Sequence, residues 1–217
     1  MSRVKYTQQL NDLKKDVEKL ANLSRLSFGT GIDALVERKK DLAEKVVKIN
    51  KEIDDLEFNI EQKCINLLAL QQPVGFELRL ISTALKIITD LDRIGDLSGN
   101  IAEIVFRTVE KPPVKPLIDI PRMRQIADEM LSEVIEAFKT GKIDNLYKLS
   151  EKDDIIDALF NQIYRELITL MIENPRIISD ATDLLLVARF LERIGDHACN
   201  IASRIIYMYT GKRIKIK

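Results

Sequence analysis

Two trios of oxygen-bearing side chains recur at helical spacing in this chain: Asp92, Asp96 and Asn100, then Glu192, Asp196 and Asn200. Residues four apart stack on one face of a helix, so each trio is a ladder of carboxylate and amide oxygens. A second ladder precedes each one, Asn50 with Asp54 and Asp153 with Asp157. Clustered Asp, Glu and Asn oxygens suit hard cations, and carboxylates that can bridge suit more than one ion. Like charges at this spacing cost a few tenths of a kcal/mol per pair, a repulsion that a bound cation would relieve.

A lone Asp-x-x-x-Asp is ordinarily a solvated helix face, and Arg93 or Arg193 next door could neutralise it. Here the pattern is duplicated. "LDRIGDLSGNIAE" at 91–103 returns as "LERIGDHACNIAS" at 191–203, with eight of thirteen positions identical. Both acidic positions survive in both copies beside a matching upstream ladder, which lifts a shared role to equal standing with two solvated faces. A ferritin-like di-iron oxidase would instead show Glu-x-x-His on facing helices, and neither half has one. The single histidine, His197, corresponds to Leu97, and Cys64 and Cys199 correspond to Leu167 and Gly99. The repeated chemistry therefore needs neither imidazole nor thiol, and no Ser/His/Asp or Cys/His arrangement can be built symmetrically. Gly29 and Gly31 lack the Gly-Lys-Ser/Thr ending of a phosphate-cradling loop.

The elements that must position these ladders follow from periodicity and proline. Ile53, Asp54, Leu56 and Ile60 align with Ile156, Asp157, Leu159 and Ile163 at an offset of 103, so an internal duplication spans both ladders. Four of the six prolines fall in "KPPVKPLIDIP", which divides the chain into a first repeat at 1–110, a linker at 111–121 and a second repeat at 122–217. Helices are expected over 3–36, 39–71, 76–110, 122–139, 143–173 and 177–210, with Gly29 and Gly31 weakening the first. The fold class is all-α: two tandem, duplicated three-helix bundles. Adjacent helices about 8–10 Å apart would bring the two ladders of each half onto one seam. That gathers four carboxylates in the second half and three in the first, where Asn50 replaces Asp153.

Composition agrees. The chain has 46% hydrophobic and 31% charged residues but only eight glycines, which suits long helices around a core. Two cysteines without Cys-x-x-Cys spacing argue against a zinc knuckle or redox pair. No signal-peptide stretch and no apolar run of spanning length is seen, so a cytoplasmic protein without direct membrane insertion is expected. Zero formal charge and no basic–aromatic interleaving leave no footprint for nucleic acid. The tail "GKRIKIK" is expected to be frayed and solvated.

With "DLDRIGDLSGNIAEI", "RFLERIGDHACNIASRI" and "CINLLALQQPVGFELRLI" in hand, the chain resembles the PhoU family of phosphate-signalling proteins over nearly its whole length. The resemblance implies two three-helix bundles and a non-enzymatic cytoplasmic regulator. It implies negative control of the phosphate-starvation response, with the protein acting between the ATPase subunit of the phosphate ABC transporter and a sensor histidine kinase, and a homodimer. It also implies multinuclear iron or zinc, with manganese or magnesium as alternatives, at Asp92/Asp96, Glu192/Asp196, Asp153/Asp157 and Asn50/Asp54. Because Asn50 is neutral, the second half ranks first as a metal site. The rival reading from another class is a metal-dependent hydrolase or oxidase using the same carboxylates, which would need an open coordination position and a proton-transfer group. A third is a purely structural bundle.

Overall fold

The computed structural model describes residues 3–217. Among them it contains six long helices and no strand: α1 (Arg3–Glu37), α2 (Lys40–Gln71), α3 (Gly75–Thr108), α4 (Asp119–Thr140), α5 (Leu149–Glu173) and α6 (Ile178–Thr210). Helices α1, α2 and α3 pack as one bundle and α4, α5 and α6 as the other. The two are joined along α3 against α6 and α1 against α4.

The pattern of buried residues explains which helices sit centrally. In α2 a narrow stripe of Val46, Ile49, Ile53, Ile60 and Leu67 is buried, the i, i+3, i+4, i+7 signature of a helix with one covered face. In α3 burial runs through Leu80, Ile81, Ala84, Ile87, Ile88 and Leu91, because this helix faces both its own bundle and the other. The same holds for α6, and the main core cluster passes through both halves. Across the outer joint, Arg25 on α1 grips Asp128 on α4 through two hydrogen bonds of 2.6 and 2.7 Å.

Helix α1 runs unbroken through Gly29 and Gly31, as the expected 3–36 helix requires, since burial of Phe28 and Ile32 on either side outweighs a glycine cost of about 0.5–1 kcal/mol each. Three expectations are corrected. Helix α4 begins at Asp119, inside the expected linker, with Pro121 in its first turn, where a missing N–H costs nothing. The start of the fifth helix is a separate 3₁₀ turn, Asp144–Lys148, which tucks Leu146 into the core before α5 begins. The tail after α6 is packed. Gly211 ends α6 in a left-handed conformation (φ 72°), its N–H donating to Tyr207 O at 2.8 Å. The strap that follows lays Ile214 and Ile216 on the core, and the Ile216 N–H donates to Ser203 Oγ at 3.1 Å.

Candidate functional site

The strap brings Lys217 to the second half's acidic ladders. Its ammonium donates to Asp153 and to Asp157 Oδ2, the latter at 2.7 Å, and stands 3.6 Å from Asp196 Oδ1. One cation thus bridges the α5 ladder to the α6 ladder. Asp153 is fully buried, and its approach to α6 depends on Gly195, where a Cβ would fall 2.5 Å from Asp153 Oδ1. Glycine in the repeated Arg-Ile-Gly-Asp is the residue that lets the neighbouring helix's carboxylate reach the seam. Glu192 is held on the same face by Arg189, whose guanidinium also lies 5.7 Å over the Phe160 ring.

The charges are not balanced. Burial pushes the Asp153 carboxyl above its ordinary range; the Lys217 hydrogen bond and charge oppose this, while Asp157 and Asp196 add to it. Burial likewise raises Glu192, against the pull of Arg189 and with Asp196 and Asp157 adding to the rise. Lys217 is partly desolvated, which works against its charge, but its hydrogen bonds to Asp153 and Asp157 win and hold the ammonium charged. Three buried carboxylate oxygens, Asp153 Oδ1, Asp157 Oδ1 and Glu192 Oε2, have no hydrogen-bond partner. Burying such oxygens is costly unless a donor or cation meets them, so this donor set fits a hard cation. Among the described residues, however, no three His, Cys, Asp or Glu side chains already converge on a point that could hold a metal ion. A cation entering here has to take over the place of the Lys217 ammonium.

The first half is built differently. Asn50, the counterpart of Asp153, accepts from Ser27 Oγ at 2.5 Å and donates to Gly95 O at 2.7 Å. It ties α1, α2 and α3 together, so the residue expected as a neutral ligand is engaged as a cross-brace. Glu57, one turn beyond Asp54 and absent from the sequence-based set, takes the fourth acidic place. Burial raises its carboxyl, with Asp92, Glu61 and Asp54 adding to the rise. Burial also raises Asp92, with Asp96 and Asp54 adding and Arg93 opposing. The direct counter-charge there is Arg93 on Asp96, at 2.9 Å and well exposed. No strap cation enters this seat. Asn100 and Asn200 both lie on the exposed side of their helices.

Two stretches of the chain, residues 17–105 and 120–205, each match the family described as "PhoU domain". The chain belongs to the PhoU family. The phosphate-specific transport system accessory protein PhoU homolog of Aquifex aeolicus is 40% identical over 98% of this chain and 96% of its own length. PhoU homolog 1 of Methanothermobacter thermautotrophicus is 38% identical over 97% of each. The crystal structure of PhoU from Pseudomonas aeruginosa superposes with a TM-score of 0.91 at 30% identity, covering 95% of this chain and all of that one. The fold and the duplication expected from the motifs are therefore those of PhoU.

In this PhoU-family chain each matched stretch contains one acidic seat, whereas Lys217 lies beyond both. The seats were reachable from sequence because helical spacing fixes them. Lys217 was missed although "RIKIK" alternates apolar and basic residues, the signature of an extended segment with one face down. No described helix is long and apolar enough to cross a membrane.

Proposed function

We propose that the chain is a non-enzymatic cytoplasmic regulator of phosphate uptake and of phosphate-starvation signalling. In this reading it docks, as a homodimer, on the ATPase subunit of a phosphate ABC transporter and on a sensor histidine kinase. The observation that carries it is the match, end to end, to relatives named as phosphate-specific transport system accessory proteins. Long rigid helices exposing charged faces suit such an adaptor. Co-purification with the transporter ATPase and the kinase, at high and low phosphate, tests it. Loss of both partners at every phosphate level would overturn the reading, and so would turnover by the isolated protein loaded with metal.

The acidic seats are proposed to bind divalent or trivalent cations, iron or zinc foremost. The three partnerless buried oxygens around Asp153 support this for the second half, and the concentration of Asp54, Glu57, Asp92 and Asp96 supports it for the first. A bound cation would supply the counter-charge that burial now denies these groups. Elemental analysis of purified protein, with Glu192→Ala and Asp196→Ala as a paired variant, measures it. Equal metal content in wild type and variant, or none in either after metal loading, would count against it.

A further inference from the structure

Between α3 and α6, on the side where the strap returns, runs a groove of about 720 Å³, within the range of about 300–1,000 Å³ found for small-molecule pockets. Four cations line it, Arg79, Lys86, Arg204 and Arg213, and no carboxylate does. In a chain with equal numbers of acidic and basic residues, that separation reflects placement rather than composition.

The duplication supplies an internal control. Moving one hundred positions along carries α3 residues onto α6, and the equivalent face on the other side of the molecule carries acids as well as bases. There Asp183 stands where the groove has Thr83, and Glu103 where it has Ser203. Asp183 pairs with Arg107 at 2.7 Å, and Arg107 is the counterpart of Tyr207. On the groove side both acids have become hydroxyls, while Lys86 replaces the equivalent of Leu186 and Arg204 that of Ile104. On the groove side only Arg204 keeps a carboxylate partner, the buried Asp90, whose counterpart is Phe190.

Three of the four cations are also held in place. Arg79 Nε donates to Met208 O at 3.0 Å, leaving its terminal nitrogens for the groove. Arg204 is backed by Asp90, 2.6 Å away and itself buried. Arg213 arrives on the strap and lies 5.7 Å over the Tyr207 ring. Neither Arg79, Lys86 nor Arg213 forms an ion pair with a carboxylate among the described residues. Guanidinium groups fixed in this way present planar donor forks that match phosphoryl oxygens. Leu78, Leu85 and Ile214 add an apolar wall beside the charge.

We infer that this groove is a binding site for a small, multiply charged phosphoryl anion, either an inorganic oligophosphate or a nucleotide. The site goes beyond the adaptor and metal readings and shares no side chain with the acidic seats. Its test is calorimetric titration of chelator-treated, full-length protein at low salt with inorganic tripolyphosphate and, separately, with ATP. Chelation keeps the acidic seats out of the result. The expected outcome is saturable binding of one anion per chain that weakens as salt is added. Lys86→Glu weakens it by about tenfold or more, and Lys45→Glu, an exposed change on α2, leaves it as it was. Tighter binding of ATP than of tripolyphosphate would identify the apolar wall as a base-contacting surface, and equal binding would identify the phosphoryl chain as the sole recognised group. Failure of both ligands to saturate at millimolar concentration would overturn the inference. So would wild-type binding by both Lys86→Glu and Arg79→Met in protein whose circular dichroism is unchanged.

Discussion

Replacing Lys217 by Met removes the ammonium while keeping most of the side chain's length, and the geometry sets opposite effects on stability and on metal affinity. The ammonium makes two charged hydrogen bonds, to Asp153 and at 2.7 Å to Asp157, and stands 3.6 Å from Asp196. At an effective dielectric of about 20, one pair at 4 Å is worth about 4 kcal/mol before desolvation. Lys217 and Asp157 are each 34% exposed, so solvent screening and the entropy of holding the strap remove most of that. A net loss of about 1–2 kcal/mol in metal-free protein remains, a fall of roughly 2–8 °C in Tm for a chain of this size. A cation entering the second seat must first displace that ammonium, so the same free energy opposes metal binding in the wild type. Lys217→Met should therefore bind Zn²⁺ or Mn²⁺ about 5–30 times more tightly. Thermal melts with and without metal, together with calorimetric titration, read both effects. Lys215→Met, an exposed change on the same strap, is the control. Unchanged metal-free stability, or an affinity that falls, would refute the reasoning that Lys217 occupies the cation's place.

Two further outcomes follow from single contacts. Gly195→Ala would drive a Cβ to within 2.5 Å of Asp153 Oδ1, which should destabilise the protein by about 1–3 kcal/mol and lower metal affinity in the second half, read by melts and titration. Arg25→Met should cost about 1 kcal/mol at neutral pH, because Arg25 and Asp128 are each about a third exposed. The Arg25 hydrogen bond holds the Asp128 carboxyl below its ordinary range, so the folded protein binds that proton less readily than the unfolded chain. The contribution is present above the unfolded carboxylate range and is lost as pH falls through the folded value, so the wild-type and variant Tm curves should converge in acid. A constant gap across that titration would mean that the effect of Arg25 is packing rather than charge.

The helices and the duplication were legible in the sequence because they rest on local signals. The 3.6-residue apolar period and the proline cluster set the element ends to within a few residues, and only at Pro121 and the 144–148 turn did tertiary packing move a boundary. The acidic ladders were legible for the same reason, since four-residue spacing puts Glu192 and Asp196, or Asp153 and Asp157, on one face wherever the helix goes. What escaped notice depends on distant partners. Asn50 reads as a weakened ligand until Ser27, on another helix, is found to claim its oxygen. Glu57 lies three residues after Asp54 on the same face, a spacing that could have recruited it, but its second-half counterpart is Phe160, so a search for repeated acids passes it over. Lys217 reads as frayed in sequence because basic residues near a chain end usually are. With Glu57 beside Asp54 in the first seat, the neutral Asn50 alone no longer separates the two halves.

The strap joins two features that the bundle keeps apart. Arg213 and Ile214 form part of the cationic groove, and four residues after Arg213, Lys217 is seated among Asp153, Asp157 and Asp196. Unseating Lys217 is therefore expected to loosen the segment that positions Arg213, and fixing Arg213 to favour the seated Lys217. Linkage requires the effect to be reciprocal: an anion in the groove should oppose metal in the second seat by the same factor by which metal opposes the anion. The apolar contacts of Ile214 and Ile216 limit the coupling, since they keep the strap down even when its end is free. A coupling of up to about 1 kcal/mol, or about fivefold, is expected. Lys217→Met measures it without metal in solution, where tripolyphosphate would chelate the ion. The variant should bind tripolyphosphate about two to five times more weakly than wild type while Lys215→Met does not. Identical affinities would show that Ile214 and Ile216 alone hold the strap, and that groove and seat act independently.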